Sequence, residues 1–315
     1  MGCGGLACGM GDFWGKWGDG DGAEIIFLRG GGEGGRRWGM DSTPTNGPAL
    51  PVGTRLEPGV VEVVKKGKAG RWIVGWSVFL AVVAVGKAEM VLVEGGQLLA
   101  DSEVREKRVG RFWVGKYEVQ WGEWKEVREW AVKKGYELEE GSGGGEKYPV
   151  TDVNWYSVVK WCNARSEKEG LGAVYYVGGE VCRSGESVHE ARVGASGYRL
   201  PREAEWEWAA RGGVKGRGCR YSGSNDLGEV GWYDENSGGK THEVGTKLAN
   251  ELGIFDLSGN VWEWCFDAIW GMSRVLRGGS WSGIEYFARV SYRGISDPSD
   301  SYDSYGFRVV RSSVS

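Results

Sequence analysis

The pattern of apolar and polar positions changes character twice along this chain of 315 residues. Before about residue 63, stretches such as M-G-C-G-G-L-A-C-G-M-G-D and L-R-G-G-G-E-G-G-R-R-W-G sustain no apolar period, so no face is available for burial against chain entropy. A basic segment, Lys65 to Arg71, then precedes an apolar one, Trp72 to Gly86, with small residues at Gly86 and Ala88. The apolar run is short for a spanning helix, which needs ~20 residues. The order of segments predicts a secretory signal peptide over 64–88. Because such a peptide begins a protein, the expected start is Val63 or Val64 read from a GUG codon. Residues 1–63 are then a non-native or disordered upstream segment, and the mature chain begins near Glu89.

From Arg111 the texture is that of a folded domain. R-F-W-V-G-K-Y-E-V alternates like a strand, and Trp121, Trp124, Val127 and Ala131 follow at helical spacing, with Gly135 as a stop. Asn154 is placed to cap a second helix carrying Val158, Trp161 and Cys162 on one face. In L-P-R-E-A-E-W-E-W-A-A-R-G-G, Pro201 suits a first helical turn and Gly212 an end. Glu203 and Glu205 in that turn read as dipole partners or exposed charges rather than an acid–base pair.

The last region, Arg274–Arg311, differs again. Val275 and Leu276 before Gly278-Gly279, and Phe307, Val309 and Val310 afterwards, read as core strands. Between them, from Ser282 to Tyr305, periodicity vanishes and the residues are chiefly Tyr, Ser, Asp and Gly. That is the composition of an adaptable binding loop. Apart from Glu285, every residue in the run is reachable from an asparagine AAC codon by changing its first two bases, the pattern expected if template adenines are randomised during reverse transcription.

Composition narrows the choices. The net charge of −4 offers no basic field for nucleic acid. Fifty-seven glycines and 18 tryptophans imply much irregular backbone packed by large aromatics. Only two histidines, His189 and His242, are present, which restricts His-dependent chemistry. Beyond Cys3 and Cys8, the cysteines Cys162, Cys182, Cys219 and Cys265 allow three pairings in an exported chain; Cys162 and Cys265 also suit buried free thiols.

Several ordered motifs resemble the formylglycine-generating enzyme, or sulfatase-modifying factor, family. They are G-K-Y-E-V (Gly115–Val119), Y-P-V-T-D-V-N-W (Tyr148–Trp155), G-Y-R-L-P-R-E-A-E-W-E-W-A-A-R-G (Gly197–Gly212), N-S-G-G-K-T-H-E-V-G (Asn236–Gly245), G-N-V-W-E-W (Gly259–Trp264), L-R-G-G-S-W and G-F-R-V-V. The resemblance spans residues 89–315 and implies an α+β, C-type-lectin-like fold with much irregular loop structure. It does not carry the oxidase activity, because Gly283 and Ala288 stand where the family's copper-binding cysteines are expected, and thiolates are what a soft-metal site requires. The histidines of the related sulfoxide synthases are also missing.

A narrower likeness is to the variable proteins of diversity-generating retroelements, which place a variable run between G-G-S-W and G-F-R. It implies variable, ligand-contacting positions at Ser282, Gly283, Ile284, Tyr286, Phe287, Tyr292, Gly294, Ile295, Ser296, Asp297, Asp300, Tyr302, Asp303 and Ser304. Glu285, Arg289, Val290, Ser291, Arg293 and Pro298 are then framework. The family likeness further implies a structural Ca²⁺ on the Asp256 and Glu263 side chains and the Gly259 and Val261 carbonyls, a hard-oxygen set suited to that ion.

The resulting expectation is a monomeric, non-catalytic receptor-like protein, exported to periplasm or cell surface, with an unknown protein or glycan ligand and no spanning helix in the mature chain. The alternatives are a metal oxidase of the formylglycine or sulfoxide-synthase type and an envelope structural protein.

Overall fold

The computed structural model describes residues 89–313, except 105, 189 and 272, and four short strands nearer the N-terminus. Those strands, Lys16–Gly18, Glu24–Phe27, Glu62–Lys66 and Trp72–Trp76, form an antiparallel sheet in that order. They belong to a compact unit, Met1–Val85, separate from Gly86–Ser315. The upstream-segment and signal-peptide readings lie, these strands apart, outside the described residues. Since the second unit contains every motif, a chain beginning at Glu89 is expected to melt cooperatively at the temperature of the full chain. A truncated form without a cooperative transition would overturn this expectation.

In chain order the second unit contains β1 (Met90–Val93), β2 (Phe112–Gly115), α1 (Trp121–Val132), α2 (Trp155–Lys168), β3 (Tyr198–Arg199), α3 (Glu203–Ala210), β4 (Trp262–Ile269), β5 (Ser273–Arg277), β6 (Gly294–Ser296), β7 (Tyr305–Gly306) and β8 (Val310–Ser312). The anticipated caps are present. Asn154 accepts from the Ser157 N–H at 2.8 Å, and Gly135 and Gly212 take the left-handed backbone that stops α1 and α3. Pro201 does not fall in the first turn as expected: it lies one residue before the N-cap Arg202, whose N–H is taken by Glu205 at 2.8 Å.

Two sheets organise the domain. One runs β3-β8-β2-β1, antiparallel throughout, and the other β6-β5-β4-β7, with only β4 and β7 parallel. The C-terminal flank therefore departs from the single strand expected there. Tyr305–Gly306 belongs to one sheet and Val310–Ser312 to the other, and Phe307, Arg308 and Val309 cross between them fully buried. Trp124 and Trp161 stack with ring centroids 5.8 Å apart, and Phe307 meets both edge-on at 6.0 and 5.3 Å. Such aromatic pairs add about 0.5–1.5 kcal/mol each beyond area burial.

Candidate functional site

The irregular run between β5 and β8 starts where the chain must pass close to itself. Gly279 has φ +73°, and a Cβ there would lie 3.0 Å from the Ala288 backbone. Trp281 then ties the two ends of the loop together: its N–H donates to the Asn260 carbonyl at 2.8 Å and its indole N–H to the Asp303 carbonyl at 3.2 Å. The run is not wholly irregular, since Glu285–Ala288 forms a 3₁₀ turn and β6 pairs with β5.

Every expected variable position is exposed or half-buried. Ser282, Ile284, Tyr286, Ile295, Asp297, Tyr302 and Asp303 are exposed; Gly283, Phe287, Tyr292, Gly294, Ser296, Asp300 and Ser304 are half-buried. Between them, Ala288, Val290 and Pro298 are buried. The Pro298 carbonyl accepts from the first N–H of α2, Trp155, at 3.0 Å. Glu285 is exposed but receives the Tyr221 hydroxyl, tying the 3₁₀ turn to a neighbouring loop. Ser291 is also exposed, so its framework part is played by its carbonyl, which accepts from Arg277 at 3.2 Å. Ser296, Asp297 and Asp300 are partly committed within the loop, for Asp300 accepts from Ser296 Oγ and Asp297 N–H.

The loop's rigid support comes from Arg277, expected as a buried framework residue; its grip on the loop carbonyls was not visible in the sequence pattern. Arg277, 1 % exposed, reaches from β5 to the carbonyls of Val290, Ser291 and Tyr292 at 2.7, 3.2 and 2.8 Å. Glu207 pairs with it at 2.6 Å. Glu203 pairs with Arg293 at 2.5 Å and with Arg277 at 3.4 Å. Glu205 is bidentate to Arg199, both contacts at 2.7 Å. Of the two readings of Glu203 and Glu205, the helix-start role holds, since both lie in the first turn of α3 and Glu205 accepts from the Arg202 N–H. The exposed-charge reading is corrected: they are buried or nearly so and neutralised by specific arginines.

Trp262, on β4, is a contributor the sequence reading missed. Its ring lies 6.2 Å from Phe287 and 6.1 Å from Tyr292, and its N–H holds the Ser304 carbonyl at 2.8 Å. The first arm therefore packs two rings on the Trp262 side chain, while the second arm is held through the Trp262 backbone N–H.

The turn before β4 carries the expected calcium ligands. Asp256 is buried with φ +58°; its Oδ2 accepts from Gly245 N–H at 2.7 Å and its Oδ1 has no partner. Glu263 is wholly buried, its Oε1 taking Arg308 at 2.6 Å and its Oε2 taking Arg308 and Trp206, each at 2.7 Å. Glu118, unanticipated, accepts from Asn260 Nδ2 at 2.6 Å and Val261 N–H at 3.2 Å. Burial and the charges of Asp256 and Glu263 push the Glu118 carboxyl well above its usual range, and burial pushes Asp256 up to about 6. Three carboxylates thus share one guanidinium. The orphan Asp256 Oδ1 is the one carboxylate oxygen of this cluster left free for a hard divalent cation, both Glu263 oxygens being bonded to Arg308 or Trp206. Among the described residues no three His, Cys, Asp or Glu side chains converge as a metal group, so such an ion would also need carbonyls, those of Gly259 and Val261 being the expected ones.

Cys162, Cys182, Cys219 and Cys265 are all free, so the disulfide alternatives are not realised among them. Burial pushes the Cys162, Cys182 and Cys265 thiols up, away from the reactive thiolate. Among the described residues, no helix is long and apolar enough to cross a membrane.

A family model described as sulfatase-modifying factor enzyme 1-like domain matches residues 82–313. Chaperone protein LppX of Paenibacillus barcinonensis is 35% identical over 288 residues, covering 75% of this chain and 99% of that protein. The inactive C-alpha-formylglycine-generating enzyme 2 of Bos taurus is 35% identical over 188 residues, 53% of this chain and 52% of that protein. Among solved structures, CarF aligns with a TM-score of 0.65 at 29% identity, covering 72% of this chain and 99% of CarF. Treponema denticola variable protein 1 aligns with a TM-score of 0.58 at 27% identity, covering 84% of this chain and 100% of that protein.

Proposed function

The chain belongs to the sulfatase-modifying factor enzyme 1-like family, and on that premise we propose that it is a non-catalytic, exported ligand-binding protein whose partner-contacting surface is the Ser282–Ser304 loop. The observation that carries this reading is the division within the loop. Positions expected to vary are all at least partly exposed, whereas Ala288, Val290 and Pro298 between them are buried and the backbone is gripped by Arg277. A loop built this way can change its outward side chains without emptying the core, where large-to-small changes cost about 2–5 kcal/mol. The likeness to a variable protein and to an inactive family member supports it. Gly283 and Ala288 leave the expected copper-binding positions without thiolates. The test is the DNA beside the gene: a near-copy of its 3′ end differing at adenines, next to a reverse transcriptase gene, is expected. An invariant loop across close relatives with no such copy would contradict the reading.

A second reading comes from LppX, a relative named as a chaperone that this chain matches over nearly its full length. Under it, the same surface holds one fixed client, and the loop does not vary among close relatives.

A structural Ca²⁺ held by Asp256, Glu263 and the Gly259 and Val261 carbonyls is part of the proposal. Bound to the folded state alone, it stabilises by mass action, by about 2.7 kcal/mol at a hundredfold excess over Kd. Calcium is expected to raise the melting temperature, and Asp256→Asn to remove most of that response. Equal responses in parent and variant would exclude this site.

A further inference from the structure

The loop's two arms differ in chemistry. Aromatic rings gather on the first: Phe287 and Tyr292 lie 5.0 Å apart, Tyr286 and Tyr292 5.2 Å, and both Phe287 and Tyr292 rest on Trp262. A Cβ on Gly294 would stand 3.1 Å from the Trp262 ring, so glycine there keeps the ring close beneath β6. The second arm is acidic. Asp297 and Asp303 are exposed and Asp300 half-buried, and none of them forms an ion pair among the described residues. The loop's two arginines do not balance them. Arg293 is bidentate to Glu203 at 2.5 and 2.8 Å, and the Arg289 guanidinium lies over the Tyr286 ring, 4.5 Å from its centroid. At the end of the acidic arm the Ser304 carbonyl accepts from the backbone N–H of Trp262, the residue whose ring forms the aromatic floor, and Ser296 is bonded to Asp300 within the arm. Ile284, Tyr286, Ile295 and Tyr302 are 52, 49, 38 and 50 % exposed, an unusual density of outward apolar area for so short a stretch.

Resting on the binding-loop reading, we infer that the present loop recognises a cationic protein segment, in which Lys or Arg side chains flanked by apolar residues lay their stems on the Trp262-centred aromatic floor and turn their charges to Asp297, Asp300 and Asp303. Aromatic faces attract cations, and long basic side chains bury their stems while keeping the charge at an acidic rim. This chemistry favours a polypeptide over a neutral or acidic glycan and over an anionic lipid surface. Trp262 is the fixed anchor: it lies outside the variable run, near the centre of the patch, with other contacts around it to exclude water.

The test pans a phage-displayed random-peptide library on the full chain. Enriched peptides are expected to pair Lys or Arg with aromatic or branched apolar residues. Their affinity should fall about tenfold or more on an Asp297→Asn/Asp300→Asn/Asp303→Asn variant, and should weaken from about 50 to about 500 mM NaCl. Asparagine keeps the side-chain oxygens that close the turn at Ser296 and Ser299, so the variant's melting temperature checks its fold. Peptides that need Tyr286 and Tyr302 but carry no basic residues, or ignore the aspartate changes, would overturn the cationic partner and leave the binding loop standing. Peptides that bind equally after Tyr286→Ser/Tyr302→Ser would overturn both, and recovery of none overturns the polypeptide partner.

Discussion

Arg308→Met is expected to destabilise the Glu89–Ser315 domain by about 3–5 kcal/mol in urea unfolding, the usual cost of stranding one partner of a buried ion pair. Arg308 is wholly buried. It is bidentate to Glu263 at 2.6 and 2.7 Å, and its remaining donors hold the Gly115 and Phe255 carbonyls at 3.0 and 2.9 Å. Removing it leaves Glu263, Asp256 and Glu118 with no positive neighbour and two carbonyls without donors. Methionine keeps the packing volume, so the loss measured is electrostatic rather than a cavity. The deficit should shrink as pH falls from about 8 to about 5. Glu118 and Asp256 have folded-state carboxyl pKa values raised above their unfolded values, so the native state takes up protons first and acid favours it. A calcium-free loss below about 1 kcal/mol would show that the guanidinium does not neutralise this cluster.

The local part of this structure was legible and the non-local part was not. Asn154, Gly135 and Gly212 bounded helices because capping acts within a few residues. The split of the C-terminal flank between two sheets depends on partners about 40 and 200 residues away, β4 and β2, and no local periodicity records them. Alternation from Phe112 through Val114 points Glu118 inward, and that signal was available. Its reason for being there, an Asn260 side chain far along the chain, was not. Glu203 and Glu205 looked like ordinary acids of a helix start until Arg293 and Arg199 folded against them. The irregular loop was recognisable by its lack of pattern, but Trp262, on which its rings rest, lies in a motif that reads simply as core.

Replacing Ser282, Ile284, Tyr286, Ile295, Tyr302 and Asp303 together by Ala or Ser is expected to change stability by no more than about 1–2 kcal/mol, while abolishing binding to any partner selected on the parent chain. All six are exposed. Phe287 and Tyr292 are left in place because they rest on Trp262, and losing those contacts would mix a packing cost into the measurement. The loop backbone should survive, since its grip comes from Arg277 on the Val290–Tyr292 carbonyls and from Trp281 bridging Asn260 and Asp303, all through main-chain atoms of the loop. Phe307→Ala supplies the contrast. Phe307 is wholly buried and edge-on to both rings of the stacked Trp124–Trp161 pair, so its truncation should cost about 3–5 kcal/mol. If the six-site variant unfolds, or loses as much stability as Phe307→Ala, those side chains belong to the core and the surface cannot be one built to vary.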